Sequence, residues 1–269
     1  EFSTIETRPP VSFVVPTRNG ERWIRDVLAG IALQRDGRPF EIIVVDDRSE
    51  DRTREIVSAL GWPDLRLLAG PGRGAAAAVN AGIRAANYPL IGQVDQDVVL
   101  HDGWLDELAA ALEDPTVAAA QGGYVTDRTS DLPSRVMGFD LEQRYSALVD
   151  GRTTHVCTGN SIYRAEALHR VGLFDARLGY GYDNDMSYRL QQAGYRLVFR
   201  RDARSTHRWR EGVWGYCVQQ YGFGYGRLDL IARHAERLTG DSVSPPAMMF
   251  HPVVMTAALV LAVAALVLA

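Results

Sequence analysis

Over residues 11–94 the chain repeats one pattern: a short apolar run rich in Val, Ile and Leu, then a segment with helical spacing. The apolar runs are 11–15, 42–45, 65–68 and 90–94. Between them lie 21–33, with Trp23, Val27, Leu28 and Ile31 on one face, then 51–60, and an Ala-rich stretch ending near Ala86. Strands without a polar face are buried on both sides, and helices between them supply the cover. The pattern therefore predicts an α/β fold, a mostly parallel sheet flanked by helices. The second half is less regular: strands at 117–124 and 194–199, a helix or lid-like segment at 132–149, a helix at 183–193, and a strand or turn opening at Thr158-Gly159-Asn160.

In such sheets ligands bind beyond the carboxyl ends of the strands. Polar residues follow three of the runs directly: Thr17-Arg18-Asn19, Asp46-Asp47 and Asp95-Gln96-Asp97. The last group is the sharpest, because Asp95 and Asp97 interrupt the apolar stretch 90–100. Unpaired carboxylates among Val and Leu are costly, and a divalent cation removes that cost by taking their oxygens as ligands. By itself the pair serves phosphoryl transfer, hydrolysis or calcium binding equally well. The glycines at 70, 72 and 74 do not form the dinucleotide-binding fingerprint.

At 269 residues the chain can bury a substantial core. A net charge of −4 argues against binding nucleic acid by bulk electrostatics, and no nucleic-acid partner is expected. All 29 basic residues are Arg. Cys157 and Cys217 lack metal-ligand spacing and read as reduced thiols. Residues 252–269 carry no charge and would span about 27 Å as a helix, close to the thickness of a bilayer core. They predict a transmembrane helix over 247–269, with the natural chain continuing beyond it.

The motifs Val-Pro16-Thr17-Arg-Asn19, Val-Val-Asp46-Asp47-Arg-Ser49, Asn80-Ala-Gly82 and Val-Asp95-Gln-Asp97 resemble, in order and spacing, those of family 2 glycosyltransferases with the GT-A fold. Thr158-Gly159-Asn160, Gly172-Leu-Phe-Asp175 and Gly181-Tyr182-Asp183-Asn-Asp185 extend the resemblance through Phe199. It implies a GT-A domain over 11–211 after an N-terminal extension (1–10), using a UDP-sugar donor and Mg²⁺ or Mn²⁺. Pro16, Thr17, Asn19, Asp47, Asn80 and Asp95 would then hold the donor, with Asp47 accepting from the uracil. Asp95 and Asp97 would hold the metal, and His207 is a further candidate ligand. Asp183 takes the place of the family's base for inverting transfer, with Thr158, Gly159, Asn160 and Tyr182 on the acceptor side. Tyr182 stands where the family usually has Glu, a departure that bears on acceptor contacts. Asp185 is an alternative base or a first-turn helix acid.

Residues 200–237 hold eight Arg against four acids, interleaved with Trp and Tyr. Three readings stand: an interfacial helix, a wall of the acceptor site, or a solvated amphipathic face. The first makes 212–246 an interfacial segment ahead of the membrane helix, as in the polysaccharide- or lipid-glycosylating branch of the family. It places the catalytic domain on the cytoplasmic side of the inner membrane, acting on a lipid-linked or polysaccharide acceptor. The rival readings are a sugar nucleotidyltransferase and a non-catalytic nucleotide-sugar-binding component of an export complex.

Overall fold

A computed structural model describes residues 8–148 and 151–235, with isolated positions between 254 and 265. Apart from those isolated positions, the expected membrane helix over 247–269 lies outside the described residues, as do the end of the interfacial segment and most of the N-terminal extension. Among the described residues no helix is long and apolar enough to cross a membrane.

The first half follows the sequence pattern. Strands β1 (Val11–Thr17), β2 (Phe40–Asp46), β3 (Leu65–Ala69) and β4 (Leu90–Val94) alternate with helices α1 (Ile24–Ala32), α2 (Thr53–Ser58) and α3 (Ala75–Ala85). After β4 come β5 (Val98–Leu100), α4 (Trp104–Ala111), β6 (Val117–Thr126) and α5 (Leu132–Ser146). The chain ends its described course with β7 (Asn160–Arg164), α6 (Ala165–Arg170), α7 (Tyr182–Gln192), β8 (Arg196–His207) and α8 (Gly212–Arg233).

The eight strands among the described residues form one sheet in the order β3-β2-β1-β4-β7-β6-β8-β5. Pairings β1–β2, β1–β4, β2–β3 and β6–β8 are parallel, whereas β4–β7, β6–β7 and β5–β8 are antiparallel. The sheet is thus mixed, with antiparallel β7 wedged between two parallel groups. That reversal has a functional consequence. β1, β2, β4, β6 and β8 all end on one edge, and β7 begins there, so the loop before Asn160 joins the loops after the parallel strands.

Alternation along β1 divides the core in two. Phe13 and Val15 pack with Ile24, Leu28, Ile31, Trp104 and Leu108 on one face of the sheet. Val14 packs on the other face with Val79, Ile83, Tyr163, Phe174 and Met186. β1 is buried throughout, which explains why its sequence has no polar face.

β8 is the main departure from the sequence expectation. It runs on to His207 rather than stopping near Phe199, and its irregular register with β6 shifts between Gly122 and Gly123. Ala203 and Ser205 point inward, fully buried, while Arg200, Arg201 and Arg204 lie along the outer side. The first part of the Arg-rich segment therefore belongs to the sheet, and only α8 is left as a candidate interfacial element.

Candidate active site

Cross-links between loops gather the sequence candidates at the strand ends. The Asp47 N–H donates to the Thr17 carbonyl oxygen at 2.7 Å, fixing the end of β1 to the end of β2. Asn19, in the left-handed region at φ 54°, accepts from the Glu50 N–H at 2.8 Å and donates its own N–H to Ser49 Oγ at 2.9 Å. Asn tolerates that backbone region better than most residues. Gln96, the residue between the two aspartates, ties in the third loop. Its Oε1 accepts from Thr17 Oγ1 and from the Arg18 N–H, both at 2.7 Å, and its Nε2 donates to the Arg18 carbonyl at 3.1 Å. The sequence reading passed over Gln96; its position inside a loop that follows a strand was the available signal.

Asp47 is almost wholly buried. One of its oxygens accepts from the Gly72 N–H at 2.5 Å and the other from the Gly74 N–H at 2.8 Å. The Gly-rich turn thereby folds over the carboxylate. Carboxylate oxygens have further lone pairs, so these bonds leave capacity for a base N–H. Pro16 sits inside β1, paired with Val45. Asn80 is different: its Nδ2 donates to the Phe174 carbonyl at 2.7 Å and its Oδ1 accepts from the Phe174 N–H at 3.0 Å. These two bonds tie Asn80 to the Phe174 loop and leave one N–H and one lone pair of the amide.

Asp95 is clamped by residues the sequence reading did not single out. Gln93 Nε2 donates to Asp95 Oδ1 at 2.8 Å, while Gln93 Oε1 accepts from the Gly159 N–H. Gly159 has φ 94°, and a Cβ there would lie 2.6 Å from Asp95 Oδ2. Only glycine meets both demands. Asn160 is fully buried and bonded to protein partners. Its Oδ1 accepts from Trp104 Nε1 at 2.5 Å, and its Nδ2 donates to the Gly122 carbonyl at 2.9 Å. Of the acceptor-side candidates, Thr158 and Tyr182 touch each other, with Thr158 Oγ1 donating to the Tyr182 hydroxyl at 3.2 Å. Burial raises the Tyr182 phenol well above its ordinary pKa, so it stays protonated.

Asp97, Asp95 and His207 form the electrostatic centre. His207 Nε2 lies 3.3 Å from Asp97 Oδ1, and the ring packs against Trp209 with centroids 3.7 Å apart. Its buried Nδ1 has no hydrogen-bond partner. Burial, and then the neighbouring charge of Asp97, push the Asp95 carboxyl up to about 6; Gln93 and His207 pull it back, and Asp183 adds to the rise. These donors fit a divalent cation. Two carboxylates and an imidazole supply suitable atoms, and a cation would offset the Asp97 charge that adds to the rise at Asp95. Among the described residues no three acidic, His or Cys side chains already converge as a complete ligand set.

A pH dependence follows. Asp95 must release its proton to bind a cation, so Mn²⁺ affinity is expected to rise with pH through about 6 and flatten above it. The folded metal-free protein retains this proton where the unfolded chain has lost it, so the associated stability is lost as pH rises through about 6. Calorimetric Mn²⁺ titrations from pH 5 to 8 check the first point, and an affinity that is flat below 6 would contradict it.

Asp183 lies in the first turn of α7, its Oδ1 accepting from the Asn184 N–H at 2.9 Å and its Oδ2 3.6 Å from His155 Nε2. Asp185 is buried and paired with Arg189 at 2.7 Å and with His234 Nε2 at 2.9 Å. Asp185 is thus tied to two basic side chains, whereas Asp183 has the His155 ring at a longer distance and a helix N–H.

α8 holds this region from behind. A Cβ at Gly222 or at Gly226 would overlap Tyr180, and one at Gly181 would lie 2.6 Å from Leu230 Cδ1. The Arg233–Asp175 and His234–Asp185 pairs complete the contact. The four-residue spacing of the glycines puts both on one helix face. That face was hidden in the sequence by the aromatics around it.

The chain matches the family model described as "Glycosyl transferase family 2" over residues 12–172. It is 28% identical over 256 residues to the pre-mycofactocin glycosyltransferase of Mycobacterium tuberculosis, covering 90% of this chain and 53% of that protein. The chain thus spans about half the length of that relative. It is 36% identical over 169 residues to the succinoglycan biosynthesis protein ExoO of Rhizobium meliloti, covering 62% of this chain and 47% of that one. The mannosyltransferase PcManGT of Pyrobaculum calidifontis, solved with GDP-Man and Mn²⁺, superposes with TM-score 0.66 at 25% identity, covering 85% of this chain and 65% of that one. Staphylococcus aureus TarS, solved with UDP-GlcNAc, superposes with TM-score 0.62 at 18% identity, covering 89% and 72%, a likeness of fold. The family model covers more than half of the residues and includes the loops that carry Asp47, Asp95 and Asp97, so this chain, an α/β protein of GT-A fold, belongs to glycosyl transferase family 2.

Proposed function

We propose that the protein is a metal-dependent, inverting glycosyltransferase that moves a sugar from a nucleoside diphosphate sugar, UDP-linked by preference, to a lipid-linked or polysaccharide acceptor. The observation that carries this reading is Asp97 3.3 Å from His207, next to the Asp95 that Gly159 packs against, at the edge where the parallel strands end. The bound Mn²⁺ of PcManGT and the nucleotide sugars of PcManGT and TarS are consistent with it.

Asp95 and Asp97, with His207 beside them, would hold the cation. When bound, the cation neutralises the diphosphate and stabilises charge developing on the leaving nucleotide. Asp47 offers a buried carboxylate to the base N–H. The acceptor hydroxyl gives its proton to Asp183 as its oxygen attacks the anomeric carbon from the face opposite the diphosphate. Because a metal-bound diphosphate leaves readily, one catalytic carboxylate suffices, whereas a glycosidase needs a second to protonate its leaving group. The protonated Tyr182, beside Thr158, is suited to donate a hydrogen bond to the acceptor.

The test is a panel of UDP- and GDP-sugars with Mn²⁺, read by calorimetry and by slow hydrolysis. UDP-sugars should bind and release UDP; turnover of a nucleoside triphosphate to pyrophosphate would favour the nucleotidyltransferase rival instead. Location at the cytoplasmic membrane face is supported by α8, where Trp214 is 80% and Tyr221 77% exposed. Aromatics set beside Arg suit a headgroup boundary. Residues 1–244 should therefore co-sediment with anionic lipid vesicles, and equal sedimentation without lipid would remove that support.

A further inference from the structure

His155 has no role in the reading above, and the sequence motifs gave it none. It is 7% exposed and lies 3.6 Å from Asp183 Oδ2. The segment that carries it is fastened to the helix that carries Asp183. Val156 N–H donates to Ser187 Oγ at 3.0 Å, and Gln191 Nε2 donates to the Thr154 carbonyl at 2.7 Å. Asp183, Ser187 and Gln191 are spaced by four residues and share one face of α7. That face meets residues 154–156 side by side. Thr153 Oγ1 adds a local lock, donating to the His155 carbonyl at 2.9 Å and accepting its N–H at 3.2 Å. The backbone of His155 is thereby fixed relative to the base.

The two oxygens of Asp183 have different surroundings. Oδ1 is engaged by the helix at Asn184, and Oδ2 faces the imidazole. The tautomer with its proton on Nε2 points a donor at Oδ2. The 3.6 Å separation exceeds a hydrogen bond, as catalytic contacts often do before substrate tightens them.

We infer that His155 is a positioning residue for the reaction: it holds the Asp183 carboxylate in the rotamer that receives the acceptor proton. The inference rests on the reading of Asp183 as base. In the step itself the acceptor O–H bond breaks and its proton passes to Asp183. The acceptor oxygen bonds to the anomeric carbon, and the bond from that carbon to the diphosphate oxygen breaks with its electron pair. His155 neither gains nor loses an atom.

The test follows release of UDP from the most active UDP-sugar of the panel, with Mn²⁺ and water as acceptor. His155→Ala should lower kcat about 10- to 100-fold, the effect of a misplaced catalytic group. KM for the donor and the affinity for UDP with Mn²⁺ should stay within about twofold, because binding does not depend on the Asp183 rotamer. His155→Gln, which restores a donor of similar reach, should recover much of the loss, and His155→Ala should add nothing in an Asp183→Asn background. Wild-type kcat in His155→Ala, a parallel loss of UDP affinity, or no recovery with Gln would each overturn the inference. Should the Ala variant not fold, His155→Asn, whose donor is too short, is compared with Gln by the same readings. If Asp183→Asn is inactive and His155→Ala normal, only this inference fails; if Asp183→Asn turns over normally, the base reading itself fails.

Discussion

Asp183→Asn is expected to lower transfer about 10²- to 10⁴-fold, the usual contribution of a positioned general base. Asn keeps the size and the acceptor oxygen that receives the Asn184 N–H, so the first turn of α7 should persist. The donor is held elsewhere, at the ends of β2 and β4, so affinity for UDP with Mn²⁺ should change less than about twofold. Loss of kcat with unchanged binding identifies a group that acts in the transition state. The neighbouring acid supplies the control. Asp185 is paired with Arg189 and His234, so Asp185→Asn should act mainly on stability, lowering the unfolding midpoint while the folded fraction retains its donor affinity. Both readings come from paired turnover and calorimetric measurements; undiminished transfer in Asp183→Asn would remove it as base.

Asp97→Ala, or removal of the metal with a chelator, has the second large expected effect. Asp97 and His207 are 3.3 Å apart, and Asp95 already carries the cost of sharing the site with a second carboxylate. Without the cation nothing offsets the charge of the diphosphate beside them. UDP affinity in the presence of Mn²⁺ should therefore fall by about 10²-fold or more, several kcal/mol of charge stabilisation, and turnover should fall with it. The metal-free affinity should hardly change in the same variant, because removing a negative charge does not weaken contacts to an anion. Equal losses with and without Mn²⁺ would show that Asp97 shapes the pocket rather than binding metal.

Much of the fold was legible because β1, β2 and β4 are buried on both faces and so read as unbroken apolar runs. Asp47, Asp95 and Asp97 stood out as a set: each lies just after a buried strand, where such sheets bind ligands. Taken alone, an Asp there serves equally well in a turn or helix cap. The continuation of β8 was not legible, since Arg200, Arg201 and Arg204 mask the inward alternation of Ala203 and Ser205. Motif spacing also could not separate side chains that face a ligand from those committed to backbone. Asn80 and Asn160 sit in motifs beside the site, and both amides bond to protein partners that the spacing did not reveal. His155 and Gln96 illustrate the reverse case. Each is a single polar residue in an irregular segment, and its meaning depends on what packs across from it, α7 for one and the Thr17 loop for the other.

The central claim, inverting transfer from a metal-bound nucleotide sugar, is tested most directly by proton NMR of the anomeric signal during turnover of an α-linked UDP-sugar with Mn²⁺. The account predicts free UDP together with a first-formed β-anomer product, and neither in the presence of chelator. A first-formed α-anomer, or release of UDP that continues undiminished without metal, would contradict it.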